Sequence, residues 1–377
     1  MRILVSGAGM AGLSAGVNLG ATGHEVTIVE RANHLRVNGS PIDIRGDSLA
    51  FADKMGVLDE IRARQVDMSQ RLCFVDANGD LLARLPSADF SDSPDDVEIP
   101  REDLAHVLRN ALKPSVTLTF DESIAELVDD GRGVDVRFTS GKRERYDLVV
   151  GADGIHSATR RMIFGPEEHY LRHLGFYVGL AQLPDRTETG GANPMYNFPG
   201  HMAGIVDYRD KSLAVLMFRA PWIDYDYHDL DAPKQILADA FAGHDEWRVP
   251  ELIDAARRDP ELYFDSVSQI DMPSWHTGRV VLVGDAAACA SPLSGRGTAL
   301  AITGTWLLAQ ALSDHPDDLE AALRQYEHDQ RPHVTYAQST AAPGGDHQVP
   351  ATQDAIDERN RRLVEAASAS LTPTPGE

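Results

Sequence analysis

Three glycine-punctuated patches hold the residues whose types and spacing could do chemistry. The first is Gly7-x-Gly9-x-x-Gly12. Glycines at that spacing suit a phosphate: Gly7 makes a tight turn, Gly9 lets backbone approach a pyrophosphate, and Gly12 lets helix and strand pack closely. The anion then sits at a helix N-terminus, where free N–H groups and the dipole favour negative charge. Glu30 falls where a carboxylate can accept both ribose hydroxyls of a dinucleotide. This motif alone does not separate NAD from FAD. The second patch is Gly151-Ala152-Asp153-Gly154, followed by Ser157 and Arg160. The third is Gly284-Asp285-Ala286-Ala287, followed by Pro292 and Gly295-x-Gly297. Patches so far apart are what a fold needs to wrap one long cofactor along its length.

The elements that must position them are legible in the apolar pattern. Arg2–Ser6 reads as a buried strand, Ala11–Leu19 as a helix and His24–Glu30 as a second strand ending in an acid. Gly46–Gly56 has helical periodicity ending at glycine, and Arg101–Leu112 is an amphipathic helix. Ala77-Asn78-Gly79-Asp80 between two short apolar runs predicts a hairpin. Val116–Phe120, Ile124–Asp129, Val134–Thr139 and Glu144–Val150 read as strands. Beyond 171 strand patterns dominate (Gly175–Ala181, Met202–Tyr208, Ser212–Phe218), followed by helices over Pro233–Ala242 and Pro250–Arg258. Arg279–Val283 returns to a buried strand and Gly297–Ser313 to a long helix. From about 341 the chain is broken by Pro and Gly, with a further helix expected over Ala355–Ala367 and a frayed end at Leu371–Glu377.

At 377 residues, with 42% hydrophobic and 25% charged residues, the chain has room for two ordinary globular domains. A net charge of −23 argues against nucleic acid and anionic membranes as partners. Cys73 and Cys289, the two cysteines, give neither a disulfide framework nor metal-ligand spacing and fit a reducing cytoplasm. Met1 leads straight into the first strand, so no signal peptide is expected, and Asp285, Pro292 and Arg296 break the one long apolar stretch.

Taken together, the three patches resemble those of the flavin-dependent aromatic hydroxylases, the class A monooxygenases of the p-hydroxybenzoate hydroxylase type, over roughly residues 1–335. Gly39-Ser40-Pro41-Ile42-Asp43-Ile44-Arg45-Gly46 is similar to the tetracycline-inactivating monooxygenases and polyketide-tailoring hydroxylases within that family. The resemblance implies an α/β fold: a Rossmann-like (GR2-type) FAD-binding domain with an inserted β-rich substrate domain and a C-terminal helical segment. The expected boundaries are 1–71, 95–171 and 271–322 for the FAD-binding domain, 72–94 and 172–270 for the substrate domain, and 323–377 for the C-terminal segment. It implies FAD as cofactor, NADPH or NADH as transient reductant, O2 and a small aromatic molecule as substrates, and hydroxylation through a flavin C4a-hydroperoxide. A cytoplasmic monomer or homodimer is expected.

The implied cofactor contacts are Gly7, Gly9, Met10, Ala11, Gly12, Glu30, Arg31, Arg101, Asp153, Gly154, Asp285, Pro292, Gly295, Gly297 and Thr298. Asp285 would hold ribityl hydroxyls, Arg101 the ribityl–phosphate region, and Pro292 would sit against the flavin ring. The helix from Gly297 would point its positive end at the pyrimidine edge, where negative charge develops on reduction. Arg45 either lies beside the isoalloxazine or pairs at the surface with Asp43 or Asp47. Asp153 belongs to the cofactor motif or, with Ser157, to the cap of a short helix 158–163, and both can hold together. Met195, Tyr196, Phe198, His201, Met202, Tyr208, Met217 and Phe218 are the candidates for a substrate wall, against an ordinary role as core.

Four departures stand out. Ala288 replaces the family's histidine, Arg296 its glutamine, Ala299 its asparagine and Gly304 an acid in the following helix. Arg296 adds a cation either near the flavin or at the surface. The rival readings are a flavin-dependent reductase or dehydrogenase, and a flavin-binding protein that has lost oxygenation.

Overall fold

A computed structural model describes residues 1–35, 39–67, 71–86, 92–187, 189, 191–226, 229 and 231–370. The chain opens on β1 (Arg2–Ser6), α1 (Met10–Ala21) and β2 (Glu25–Val29). Next come β3 (Ile42–Ile44), α2 (Asp47–Lys54), α3 (Leu58–Arg62), the hairpin β4 (Leu72–Val75) and β5 (Leu81–Arg84), β6 (Val97–Ile99) and α4 (Arg101–Asn110). β7 (Val116–Thr119) precedes a meander of β8 (Ile124–Asp129), β9 (Val134–Phe138) and β10 (Arg143–Tyr146), then β11 (Leu148–Gly151) and α5 (Ala158–Phe164). The β-rich stretch holds β12 (Leu171–Gln182), β13 (Asn193–Phe198), β14 (His201–Tyr208), β15 (Lys211–Arg219), α6 (Ala232–Ala240), α7 (Val249–Arg258) and β16 (Tyr263–Ile270). β17 (His276–Thr277), β18 (Val280–Leu282) and the short α8 (Asp285–Ala288) lead to α9 (Gly297–Asp314), α10 (Leu319–Gln348) and α11 (Gln353–Ser370).

Two large sheets organise the molecule. In the six-stranded sheet, ordered β17-β18-β11-β1-β2-β7, five neighbours run parallel and β17 runs antiparallel at the edge. A parallel sheet must be covered on both faces. Ile3 and Val5 pack under α1, α4 and α9, while Leu4, Val149 and Val280 pack against the meander. The continuous Ile3-Leu4-Val5 run, all fully buried, is the sequence trace of that double cover. All three glycine patches follow neighbouring parallel strands: β1, β11 and β18. Ligands of open α/β sheets bind at the carboxyl ends of such strands.

The seven-stranded sheet is ordered β16-β12-β15-β14-β13-β4-β5. The Asn78-Gly79 hairpin thus leaves the N-terminal region to join it through β13. Its outer face is buried under α6 and α7, and its inner face packs on Leu293, α10 and α11. The C-terminal segment departs from expectation, because α10 runs unbroken through Pro343-Gly344-Gly345. Tertiary packing explains it. A Cβ on Gly344 would lie 2.9 Å from the Leu293 carbonyl oxygen, and one on Gly345 2.7 Å from the Phe176 ring. The glycines let the helix approach, and the contact outweighs their poor propensity. No helix among the described residues is long and apolar enough to cross a membrane.

Candidate cofactor and active site

Gly7 adopts φ +100°, a region only glycine enters freely, and its N–H donates to the Val29 carbonyl at 2.8 Å. A Cβ on Gly12 would lie 1.9 Å from the Gly7 carbonyl oxygen, so helix and turn are in backbone contact. Gly9 is the opposite case. No atom lies within 4 Å of where its Cβ would be, so its backbone faces an open trough. The first turn of α1 carries no acid, leaving the N–H groups around Met10 and Ala11 free to meet an anion. The Glu30 carboxylate accepts from Ala8 N at 2.9 Å and Ala32 N at 3.0 Å, tying together the loops after β1 and β2 at the trough's end. Arg31 beside it is exposed.

After β11, the Asp153 carboxylate accepts from the Ser157 hydroxyl and from Thr159 N and Oγ1 at 2.8 and 2.9 Å. Ser157 caps α5 by accepting from Arg160 N at 2.9 Å. The capping reading is therefore realised in full, and Gly154 (φ +80°) shapes the turn with open space beside it. Arg160, fully buried, donates to the Ala286 carbonyl at 3.1 Å, to the Ile155 carbonyl and to Glu167 at 2.7 Å. It stitches the second patch to the third. His156 bridges Glu167 at 2.9 Å and Asp265 at 3.2 Å. Burial lowers its pKa, but the hydrogen bonds to Asp265 and Glu167 prevail and raise it from 6.5 to about 9.

A pKa raised on folding stabilises the fold below the unfolded value, and the gain is lost as pH rises through the folded one. Unfolding free energy should therefore fall by on the order of 2–3 kcal/mol between about pH 6.5 and 9.5 through His156. Denaturation titrations across that window check it. His156→Gln should remove most of the slope, and an equally steep variant would refute the assignment.

The third patch turns at Gly284 (φ +58°), whose Cβ would lie 2.6 Å from that of Ala11, so α8 starts against α1. The Asp285 side chain is exposed, yet its surroundings are crowded enough that desolvation raises its pKa, opposed by the Arg101 guanidinium. Arg101 is half-buried and makes no ion pair among the described residues. Ser291 takes φ +83°, strained for a non-glycine residue, and receives Leu293 N on its own side chain. The Pro292–Ser294 turn then ends at Gly295 (φ +62°), and Gly297 and Thr298 open α9 with no acid in its first turn. The Arg45 guanidinium sits 3.4 Å from where a Gly295 Cβ would be.

Three strand ends thus meet: open backbone at Gly9, a helix start at α9 without an acid in its first turn, and, opposite a carboxylate, an arginine with no ion pair among the described residues. That donor set fits a dinucleotide carrying a flavin. The FAD binding domain family matches residues 1–171 and 264–341 of this chain. The chain belongs to the FAD-dependent monooxygenases. It is 38% identical to an uncharacterized protein of Mycobacterium tuberculosis (strain CDC 1551 / Oshkosh), over 86% of this chain and 88% of that one. It is 34% identical to a flavin-dependent monooxygenase of Legionella longbeachae serogroup 1 (strain NSW150), over 86% and 84% respectively. Among solved structures it matches the tetracycline destructase Tet(51) with a TM-score of 0.85 at 28% identity, over 100% of this chain and 99% of that one.

In this monooxygenase the two readings of Arg45 merge in part. It does pair with Asp43, at 2.6 Å, but the pair is buried against the Gly295 turn and is not a surface contact. Burial, with Glu98 and Asp96 adding to it, raises the Asp43 carboxyl to about 6 although Arg45 pulls it down. Arg296, its side chain largely covered, pairs with Asp92 at 2.5 Å and lies over the Tyr336 ring at 4.6 Å. Two of the departures are one repacking. Ala288 and Gln330 line the same small void, and a Cβ on Gly304 would lie 3.2 Å from the Gln330 amide. Gln330, donating to the Leu300 carbonyl at 3.1 Å, fills space that small residues at 288 and 304 leave free.

The substrate-wall candidates divide by strand face. Met195, Met202 and Met217 lie on the inner face in one buried cluster with Leu293 of the Pro292 turn. Tyr196, Phe198 and Phe218 lie on the outer face under α6 and α7, and His201 stacks on Phe198 at 4.6 Å. Tyr196, Phe198 and Phe218 are core on the sheet face away from Leu293, and His201 is half-buried beside them. Tyr208 reaches the Gly39 carbonyl at 3.4 Å. Two residues escaped sequence reasoning. Arg359 on α11 is buried over the Phe74 ring, bonded to Asn197 at 3.0 Å and the His347 carbonyl at 2.9 Å, and burial without a carboxylate lowers its pKa to about 10. Tyr263 on β16 is the other. Neither lies in a motif, so no local signal marks them.

Proposed function

We propose that this monooxygenase consumes NAD(P)H and O2 to hydroxylate a planar, polycyclic or aromatic small molecule. The methionines of the inner face carry the reading: Met195, Met202 and Met217 are buried in one cluster with Leu293 of the Pro292 turn, where they back the wall that such a ligand would meet. Thioethers give an adaptable, polarizable wall suited to a flat apolar ligand. The tetracycline destructase likeness favours a polycyclic substrate over a single ring.

FAD would lie with its pyrophosphate on the N–H groups of Gly9–Gly12, its adenosine ribose toward Glu30 and Arg31, and its ribityl chain between Arg101 and Asp285. When bound it supplies acceptance of hydride from NAD(P)H and transfer of one oxygen atom from O2. The chain's own residues orient and shield. The α9 start at Gly297 and Thr298 would meet the pyrimidine edge with fixed N–H dipoles, Pro292 and Gly295 would shape the ring face, and the buried Arg45–Asp43 pair backs that turn. The inner sheet face excludes water from the reacting edge. The boundaries given above for the two domains, a monomeric or homodimeric assembly and a cytoplasmic site complete the proposal.

Aerobic NADPH and NADH oxidation, measured with and without polycyclic phenols, tests it. Oxidation stimulated by ligand, with a product heavier by one oxygen atom, is expected. Flavin bleaching under every ligand without oxygen insertion would overturn it in favour of a reductase.

A further inference from the structure

β16 has a course its sequence does not announce. Just before it, Glu261 Oε1 lies 3.9 Å from Nε2 of His34, in the loop after β2. Two residues into it, Asp265 reaches His156 at 3.2 Å, in the loop after β11. In the parallel sheet β1 lies between β2 and β11. The four residues from 261 to 265 reach about 13 Å, enough to cross two strand spacings of about 10 Å. Tyr263, midway, is therefore carried over the end of β1, where the Gly7–Gly12 turn begins.

Its direction follows from register. Tyr263 pairs with Leu180, Asp265 with Val178 and Val267 with Phe176. Val267, Val178 and Phe176 belong to the inner-face cluster, whereas Phe264 packs in the outer one. Tyr263 therefore points inward, toward the trough. It keeps 41% of its surface open, and its hydroxyl has no protein partner among the described residues. Desolvation still raises the phenol pKa, with Asp265, Cys289 and Asp285 adding and Arg101 opposing.

We propose that Tyr263 is a cofactor-contacting residue supplied by the seven-stranded sheet, its phenol donating a hydrogen bond to a pyrophosphate oxygen of FAD. The inference rests on the FAD placement above. The contact gives the sheet a direct hold on the cofactor, so the two large sheets are coupled through the ligand.

Apoprotein titrated with FAD, read by flavin fluorescence, tests the contact, with ADP as a competing ligand for the pyrophosphate half. Tyr263→Phe should weaken FAD and ADP alike by about tenfold, the fold-change of one net hydrogen bond to a charged group. Tyr263→Ala should weaken both further. The control Tyr225→Phe, a phenol packed on Phe264 of the outer face, should stay within about twofold. Tyr263→Phe with wild-type affinity for FAD overturns the proposal, and FAD weakened with ADP unchanged overturns the pyrophosphate placement. Should Tyr263→Ala fail to fold, Tyr263→Phe alone decides. Wild-type protein that bound no FAD would instead refute the cofactor placement itself.

Discussion

Gly12→Ala should yield a protein that folds poorly around its first turn and purifies without flavin. The added Cβ would sit 1.9 Å from the Gly7 carbonyl oxygen and 2.9 Å from its carbon, distances no rotamer can relieve because both partners are backbone. Either α1 retreats from β1 or the Gly7 turn opens. Gly7 is itself held by its bond to Val29 and by the close approach of Ala152, so the helix is the part that moves. Its N–H groups then leave the trough, and FAD affinity should drop by at least about 100-fold, equivalent to about 3 kcal/mol. The ratio of flavin to protein absorbance in the purified variant checks this. Gly9→Ala is the informative partner. Gly9 has φ −71° and no neighbour within 4 Å, so alanine costs the apoprotein almost nothing. Its loss of FAD without loss of apoprotein stability would separate ligand approach from helix packing. Wild-type flavin content in Gly12→Ala would refute the turn as the phosphate cradle.

What the sequence made legible was chemistry held in short segments. The Gly7–Gly12 turn, the Ser157 cap and the Asn78-Gly79 hairpin each encode their geometry in adjacent residues. Which face of a strand meets the cofactor is a different kind of information. Met195 and Tyr196 alternate as a strand requires, but alternation is symmetric, and only α6 and α7 covering one side assign the tyrosine outward. β16 was missed because its buried positions include Ser266 and Ser268, which satisfy each other at 2.8 Å and so hide an interior strand behind polar residues. Pro343-Gly344-Gly345 looked like a break for a related reason. The glycines answer to Leu293 and Phe176, which are distant in sequence. The coupling of Ala288 and Gly304 through Gln330 is likewise invisible until α8, α9 and α10 meet.

Arg160→Met should be the most destabilising single change outside the glycine turns, by about 3–5 kcal/mol. Its guanidinium is fully buried, and burial holds its pKa down against the pull of Glu167 and Asp153. Methionine matches the volume but donates nothing, stranding the Ala286 and Ile155 carbonyls and leaving Glu167 to His156 and the exposed Arg161. Lysine does not rescue, because one ammonium cannot reach carbonyls on two loops and a carboxylate together. Part of the cost comes from Glu167 losing its buried cation, with His156 and Arg161 still facing it, so Arg160→Met combined with Glu167→Gln should recover that part of the loss, on the order of 1 kcal/mol. Thermal melts of the four proteins in that cycle, at pH 7 and with saturating FAD, measure the coupling. Arg160→Met melting with wild type would show that the second and third patches do not depend on this arginine. Equal loss in single and double variants would place the cost at the two carbonyls. The first patch is self-contained, whereas Asp285 is oriented only if α8 is anchored to the loop after β11. Flavin affinity in Arg160→Met should therefore fall together with stability, even though the arginine lies behind the trough.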